Sequence, residues 1–177
     1  MQKTNTPIQS LRPPQSLFGL TAHSLLVPPF KPNGMLILGY GEGTVAGLTK
    51  MIWGSDVEID GVDLVHPETN GYSDFFQASA DRFVEKECLK RYDYVVVDLY
   101  NQDRIPDFVF SDKFVENLSK VCRKILGVNS TFKDFGAWKP YDKHFIVSSV
   151  KQVNRDKVLL FDARSHGLSK VPDFAVV

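Results

Sequence analysis

Three glycines at alternate positions follow a short apolar run in the first third of the chain. Residues 35–38 read Met-Leu-Ile-Leu, a composition typical of a strand buried on both faces, and Gly39, Gly41 and Gly43 come directly after it. Glycine lets the backbone approach a ligand where a Cβ atom would collide with it. Residues 45–52 then carry apolar side chains at helical spacing, and the start of that predicted helix offers N–H groups to a polar ligand.

An acid in the next predicted strand strengthens this interpretation. Residues 57–64 predict a second strand, and Asp63 lies about 20 residues beyond the last glycine, where nucleotide-binding folds place an acid that accepts hydrogen bonds from ribose hydroxyls. The combination predicts nucleoside binding. Thr44 occupies the position of the third glycine in the dinucleotide motif G-x-G-x-x-G, which disfavours a nicotinamide-dependent oxidoreductase, and the sequence contains no phosphate-loop motif.

A second acid ends the clearest predicted strand of the chain. Residues 92–98, YDYVVVD, predict a central strand buried on both faces, and Asp98 is its last residue. A carboxylate at the ligand edge of such a sheet needs a partner, because its burial alone is unfavourable. Ligands of open α/β sheets bind outside the carboxyl ends of the strands. The predicted strand ends are Gly39, Asp63, Ser79, Asp98 and Asn129.

These motifs resemble the spermidine synthase-like branch of the class I S-adenosylmethionine-dependent methyltransferase superfamily. Residues 39–43, GYGEG, resemble the G-G-G-D-G motif of spermidine synthases, with Tyr for one glycine and Glu for Asp. Ile37 stands where ordinary methyltransferases of the superfamily usually carry an acid. Residues 92–100 resemble the segment that ends in the catalytic aspartate of the synthases. The resemblance covers roughly residues 17–163.

The resemblance implies a Rossmann-like three-layer α/β sandwich, with a mostly parallel seven-stranded sheet and one antiparallel strand near the C-terminal hairpin. It implies S-adenosylmethionine, or its decarboxylated form, as the cofactor. Asp98 is then the catalytic residue, which draws a proton from the attacking amine or holds the amine in place. Glu42 would face the amino group of the methionine-derived arm. The implied cofactor contacts are Gly39, Tyr40, Gly41, Glu42, Gly43, Asp63, Leu64, Ser79, Ala80, Asp81, Asp98 and Leu99, and the implied substrate contacts are Tyr100 and Asn101.

Several alternatives stay open. Ser79 aligns with the adenine-contacting acid of the family motif G-D-A-x-x-F-L, and Asp81 could take its place. Asn101 stands where the synthases usually carry a second aspartate, for which Asp103 or Asp107 could substitute. The 34 residues before Met35 leave no room for the N-terminal domain of the synthases. The prediction is therefore a methyltransferase-like transferase acting on a small molecule or a protein.

Two further functions compete with that prediction. The first is aminopropyl transfer from the decarboxylated cofactor, which Glu42 and Ile37 favour. The second is a non-catalytic nucleoside-binding module, in which Tyr40 or Tyr100 would fill the cofactor site. No metal site is predicted from the spacing of histidines and cysteines.

Composition bounds the class of protein. The chain has 177 residues, of which residues 1–15 are expected to form a flexible arm and residues 16–177 a single domain. Lys and Arg equal Asp and Glu at 21 each, which disfavours nucleic acid as a partner. No signal peptide or membrane-spanning run is evident, and Cys88 and Cys122, placed in helix-like segments, are expected to be reduced. A cytoplasmic location is predicted, and a homodimer stays open.

Apolar periodicity and turn residues predict the remaining elements. Ser111 is a favourable N-cap for the third helix. His23 is interpreted as a packing or surface histidine because no partner acid or cysteine lies near it in sequence. His66 could face the cofactor from just past Asp63, and is interpreted as a solvated loop histidine. Helices are predicted at Thr44–Trp53, Ala80–Arg91 and Asp112–Lys124, and further strands at Phe75–Ser79, Ile125–Phe132, His144–Val153 and Lys157–Ala163, the last two joined by a hairpin turn.

Overall fold

One seven-stranded sheet organises the computed structural model, which describes residues 23–68, 71–101, 104–131, 138–153 and 156–163. The predicted arm at residues 1–15 lies outside the described residues. The strands are β1 Gly34–Leu38, β2 Glu58–Asp63, β3 Asp74–Gln77, β4 Tyr92–Val97, β5 Cys122–Thr131, β6 Phe145–Val153 and β7 Asp156–Ala163. Their order across the sheet is β3-β2-β1-β4-β5-β7-β6.

The directions of the strands confirm the predicted fold class. Neighbouring strands from β3 to β5 run parallel, whereas β7 runs antiparallel to both of its neighbours, β5 and β6. Successive strands proceed outward from β1 to β3, and the chain then crosses to the other side of β1 to form β4. This reversal makes the carboxyl ends of β1 and β4 the place where such a sheet binds ligands.

Helices cover both faces of the sheet. The elements are α1 Thr44–Trp53, α2 Ala80–Arg82 with a π turn at Phe83–Glu87, a 3-10 turn at Asp107–Phe110, α3 Asp112–Val121 and α4 Lys139–Asp142. Side chains of α1 pack in one buried cluster, and those of α2 and α3 pack in another on the opposite face. The hydroxyl of Ser111 accepts the N–H of Phe114 at 3.3 Å, which confirms the predicted N-cap of α3.

The strand β1 shows why the apolar run at residues 35–38 is buried on both faces. Leu36 and Leu38 belong to the cluster under α2 and α3, whereas Met35 and Ile37 belong to the cluster under α1. All four side chains are at most 1% exposed. A strand with period-two side chains between two helical layers buries both of its faces, which favours apolar residues at successive positions.

Two predicted helices end earlier than the sequence suggested. The helix predicted to reach Lys124 ends at Val121, because Cys122 has extended backbone angles and pairs with Tyr92 as the first residue of β5. The helix predicted over residues 80–91 ends at Glu87 in a π turn, and Cys88 is again extended. Neither cysteine is therefore helical. Both are free thiols, and Cys122 is buried.

Two carboxylates within the sheet are buried for structural reasons. Asp60 accepts hydrogen bonds from the Tyr92 hydroxyl at 2.8 Å and from Lys90 at 2.9 Å. Asp93 accepts the Lys124 ammonium at 2.9 Å. Each buried charge thus has an opposite charge beside it, which offsets its loss of hydration.

Within the described ranges, no helix is long and apolar enough to cross a membrane.

Candidate active site

The first glycine of the loop marks the closest approach between the ends of β1 and β4. Gly39 has a φ of +87°, and a Cβ atom there would lie 2.1 Å from the backbone oxygen of Asp98. The Asp98 N–H donates to the Leu38 carbonyl at 2.8 Å, and the Gly39 N–H donates to Val62 at 2.9 Å. Only glycine fits this conformation and this spacing without moving the backbone.

The other two glycines shape the turn that leads into α1. Gly41 has a φ of +51°, and a Cβ atom there would meet nothing within 4 Å among the described residues. Gly43, at a φ of +76°, is the N-cap of α1 and donates its N–H to the Tyr40 carbonyl at 3.0 Å. Gly41 therefore leaves open space beside the start of α1, where backbone N–H groups attract polar ligands.

Asp63 ties the end of β2 to the glycine loop. Its Oδ2 accepts the Gly41 N–H at 2.8 Å, and its Oδ1 accepts the N–H groups of Leu64 at 2.7 Å and Val65 at 3.4 Å. A carboxylate offers about four acceptor positions. Three N–H groups leave it able to accept a further donor, such as a ribose hydroxyl. Leu64 follows at the surface with 66% of its area exposed.

Asp98 lies beside Asn129, which the sequence placed at a strand end without giving it a role. The Asn129 Nδ2 donates to Asp98 Oδ1 at 2.8 Å, and the Asp98 side chain is 11% exposed. Because a carboxylate can only accept, this contact fixes the amide with its nitrogen toward Asp98. The Asn129 Oδ1 is then buried with no hydrogen-bond partner in the described part of the chain, which is unfavourable unless a ligand supplies a donor.

His23 is the site residue that the sequence interpretation missed. We predicted a packing or surface role because no acid lies near it in the sequence, but its Nε2 lies 3.4 Å from Asp98 Oδ2. The histidine precedes β1 and the aspartate follows β4, so only the folded sheet brings them together. A lone histidine in an apolar segment carries no sequence signal for such a contact.

Tyr40 packs its side chain into the core rather than onto the loop surface. The ring is 4% exposed, lies edge-on to Tyr72 and Phe75 at 5.6 and 5.8 Å, and covers the backbone of Gly61. A Cβ atom at Gly61 would come within 2.5 Å of this ring. Burial also raises the pKa of Tyr40 well above its ordinary value.

The predicted adenine contacts lie beside the end of β3. Ser79 is the N-cap residue of α2, Ala80 is buried, and Asp81 is half-buried in the first turn. The Ala78 N–H donates to the Asp63 carbonyl at 3.0 Å, which holds this corner against the end of β2. Both Ser79 and Asp81 therefore stay candidates for the adenine amino group.

The remaining predicted contacts lie at the surface around Asp98. Leu99 is half-buried, Tyr100 is 38% exposed, and Glu42 is exposed on the glycine loop. Asn101 exchanges backbone hydrogen bonds with Arg104 at 2.8 and 3.2 Å.

Asp103, one suggested replacement for the second acid of the synthases, lies outside the described residues. The other, Asp107, is exposed at the start of the 3-10 turn. Within the described ranges, no group of three or more His, Cys, Asp or Glu side chains could hold a metal ion.

Comparisons with solved structures relate this geometry to known proteins. The 1,6-didemethyltoxoflavin-N1-methyltransferase of Burkholderia thailandensis, solved with S-adenosylhomocysteine, matches 82% of this chain and 77% of its own, at 15% identity and a TM-score of 0.61. Human N-acetylserotonin methyltransferase, in complex with S-adenosylmethionine, matches 82% of this chain and 50% of its own, at 14% identity and a TM-score of 0.57.

A ribosomal protein L11 methylase from Lactobacillus delbrueckii subsp. bulgaricus matches 81% of this chain and 77% of its own, at 10% identity and a TM-score of 0.60. The chain thus spans about half to three quarters of these neighbours. No protein-family model and no curated protein sequence matches the chain. The likeness shows the fold alone, a Rossmann-like sheet that this chain shares with these methyltransferases.

Proposed function

We propose that this protein is an S-adenosylmethionine-dependent transferase, most simply a methyltransferase for a small molecule or a protein, on a branch related to the spermidine synthases. One observation carries the proposal. The carboxylate at the end of β2, Asp63, accepts a hydrogen bond from Gly41 in the loop that follows β1. The acid proposed to bind the ribose thus contacts the glycine loop beside the strand reversal, where sheets of this kind bind ligands.

The residues around this contact fit the cofactor. Residues 39–43 would cradle the methionine-derived arm, because Gly41 leaves open space and the N-cap residue of α1, Gly43, has no side chain. Asp63 would accept the ribose hydroxyls, and Ser79 or Asp81 would contact the adenine amino group. When bound, the cofactor supplies a carbon atom activated by the adjacent sulfonium.

The chain's own contribution to catalysis centres on Asp98. A displacement at carbon needs the acceptor to be positioned, desolvated and relieved of its proton. The Asp98 carboxylate lies at the ligand edge, largely buried, and keeps an orientation set by Asn129. It would hold the N–H or O–H group of the acceptor and take its proton.

Titration calorimetry tests the cofactor assignment. S-adenosylmethionine, its decarboxylated form and S-adenosylhomocysteine would be titrated into the wild-type protein, Asp63→Ala and a control, Asp56→Ala. Asp56 is an exposed acid paired only with Lys31 among the described residues, at 2.7 Å. We expect Asp63→Ala to weaken binding by more than about 1 kcal/mol, the scale of a charge-assisted hydrogen bond, and the control to bind normally. Equal affinity in all three proteins would remove the ribose assignment.

The same titration separates the competing functions. Glu42 replaces the aspartate of the synthase motif and is exposed on the loop, where its charge would disfavour a cofactor that retains its carboxylate. Tighter binding of the decarboxylated form would therefore favour aminopropyl transfer. Tighter binding of intact S-adenosylmethionine would favour methyl transfer. Binding of neither would favour a non-catalytic module.

A further inference from the structure

The segment before β1 brings an imidazole onto the candidate catalytic carboxylate. The two oxygens of Asp98 face different donors: Oδ1 accepts Asn129 Nδ2 at 2.8 Å, and Oδ2 lies 3.4 Å from His23 Nε2. Rotation of the carboxylate about its Cβ–Cγ bond would disturb both contacts at once. We propose that His23 is a positioning residue, which together with Asn129 holds Asp98 in the orientation that the acceptor needs. This inference rests on the transferase function proposed above.

The partners of Asp98 differ from those of the structural acids in the sheet. Lysine ammonium groups lie 2.9 Å from Asp60 and from Asp93. Asp98 instead has an amide and an imidazole as its described partners. Amide and imidazole donors restrain a carboxylate without the permanent positive charge of a lysine, so more of its negative charge remains available to the acceptor. This is the environment expected for a carboxylate that accepts a proton from a bound acceptor.

The chemical step assigns each group one task. The acceptor atom loses its proton to the Asp98 carboxylate as it bonds to the transferred carbon, and the electron pair of the broken carbon–sulfur bond stays on sulfur. His23 acts through Asp98 and has no contact of its own with the acceptor in this scheme. A misdirected carboxylate would slow proton removal without changing how the cofactor binds.

Three variants test the role of His23. His23→Phe keeps an aromatic ring but removes the donor, whereas His23→Gln keeps an N–H donor. His144→Phe is the matched control, because this half-buried imidazole lies near the end of α4. Each protein would be assayed for cofactor affinity and for transfer of a labelled group to an acceptor found by screening amines, hydroxyl compounds and peptides.

The expected result is specific to a positioning role. We expect His23→Phe to lower kcat by about tenfold or more while KM and cofactor affinity stay within about threefold, and His23→Gln to recover most of the loss. Wild-type turnover in His23→Phe, or no recovery of turnover in His23→Gln, would overturn the proposal.

A second measurement needs no acceptor. Ring signals of the histidines in ¹⁵N-labelled protein would be compared between wild type and Asp98→Asn, with the His23 signal assigned from its absence in His23→Gln. The His23 signal should shift while that of His144 stays unchanged, and an unchanged His23 signal would refute the contact. A wild-type protein that binds no cofactor would instead refute the proposed transferase, so the two failures are distinguishable.

Discussion

Two glycines of the same loop should respond very differently to alanine. At Gly39 a methyl group would lie 2.1 Å from the Asp98 backbone oxygen, whereas at Gly41 it would meet no described atom within 4 Å. Both glycines have positive φ angles, +87° and +51°, so each alanine would carry conformational strain. The pair therefore separates the cost of left-handed backbone from the cost of a collision.

The magnitudes follow from these distances. An alanine in the left-handed region costs about 1–2 kcal/mol, which is the whole expected loss for Gly41→Ala. Gly39→Ala must also push the ends of β1 and β4 apart by roughly 1 Å, which costs about 1–3 kcal/mol as overpacking. That movement weakens the hydrogen bond from Asp98 to Leu38, observed at 2.8 Å and worth about 1 kcal/mol. We expect Gly39→Ala to lose at least about 2 kcal/mol more than Gly41→Ala.

Urea denaturation followed by circular dichroism measures the loss in the free energy of unfolding for both variants. Calorimetry with S-adenosylmethionine measures their affinity for the cofactor. Gly41→Ala should fold well but bind the cofactor more weakly, because its methyl group enters the space proposed for the ligand. Equal free energies of unfolding for the two variants would refute the packing argument. Wild-type affinity in Gly41→Ala would show that the cofactor does not approach this side of the loop.

Three further predictions concern other parts of the chain. Asp98→Asn should abolish transfer while cofactor affinity, measured by calorimetry, stays within a few fold; retained turnover would exclude its catalytic role. Ser111→Ala should lower the free energy of unfolding by about 1 kcal/mol through loss of the N-cap, whereas Ser119→Ala on the same helix, measured by the same denaturation, should change little. Burial raises the pKa of Cys122 to about 12, so between pH 8 and 9.5 the unfolded thiol loses its proton and the folded one keeps it. Native stability should therefore fall with rising pH, by about 1 kcal/mol more than in Cys122→Ala, and parallel urea profiles for the two proteins would contradict this.

The elements that the sequence predicted well are those with strong local signals. The apolar runs that form β1 and β4 are buried on both faces because they lie between two helical layers, and Ser111 caps α3 through a contact three residues away. The predicted end of α3 was wrong because pairing between distant strands decides it, and the helix predicted over residues 80–91 gives way to a π turn that ends at Glu87. Cys122 continues a helical apolar pattern, yet it leaves the helix to pair with Tyr92 in the sheet.

The candidate site likewise contains residues that the sequence could place and residues that it could not. The rule that ligands bind at the carboxyl ends of parallel strands placed Asp63 and the glycine loop together, and a 2.8 Å hydrogen bond joins them. The same rule named Asn129 as a strand end but could not show that its side chain faces Asp98. No such rule could place His23, because only the folded chain brings the segment before β1 beside the residue that follows β4.

The glycine loop and Asp98 form one packed unit, and this has a consequence for mutagenesis. Gly39 is held against the Asp98 backbone oxygen, and the Asp98 N–H donates to Leu38 immediately before the loop. A shift at either residue must move the other, and a displacement of about 1 Å at a reacting centre can cost about 100-fold in rate. Among the described residues, the Asp63 side chain contacts this loop by a hydrogen bond from Gly41. Loss of the Asp63 side chain should therefore weaken binding without changing turnover at saturation, whereas any enlargement of Gly39 should impair folding, binding and turnover together.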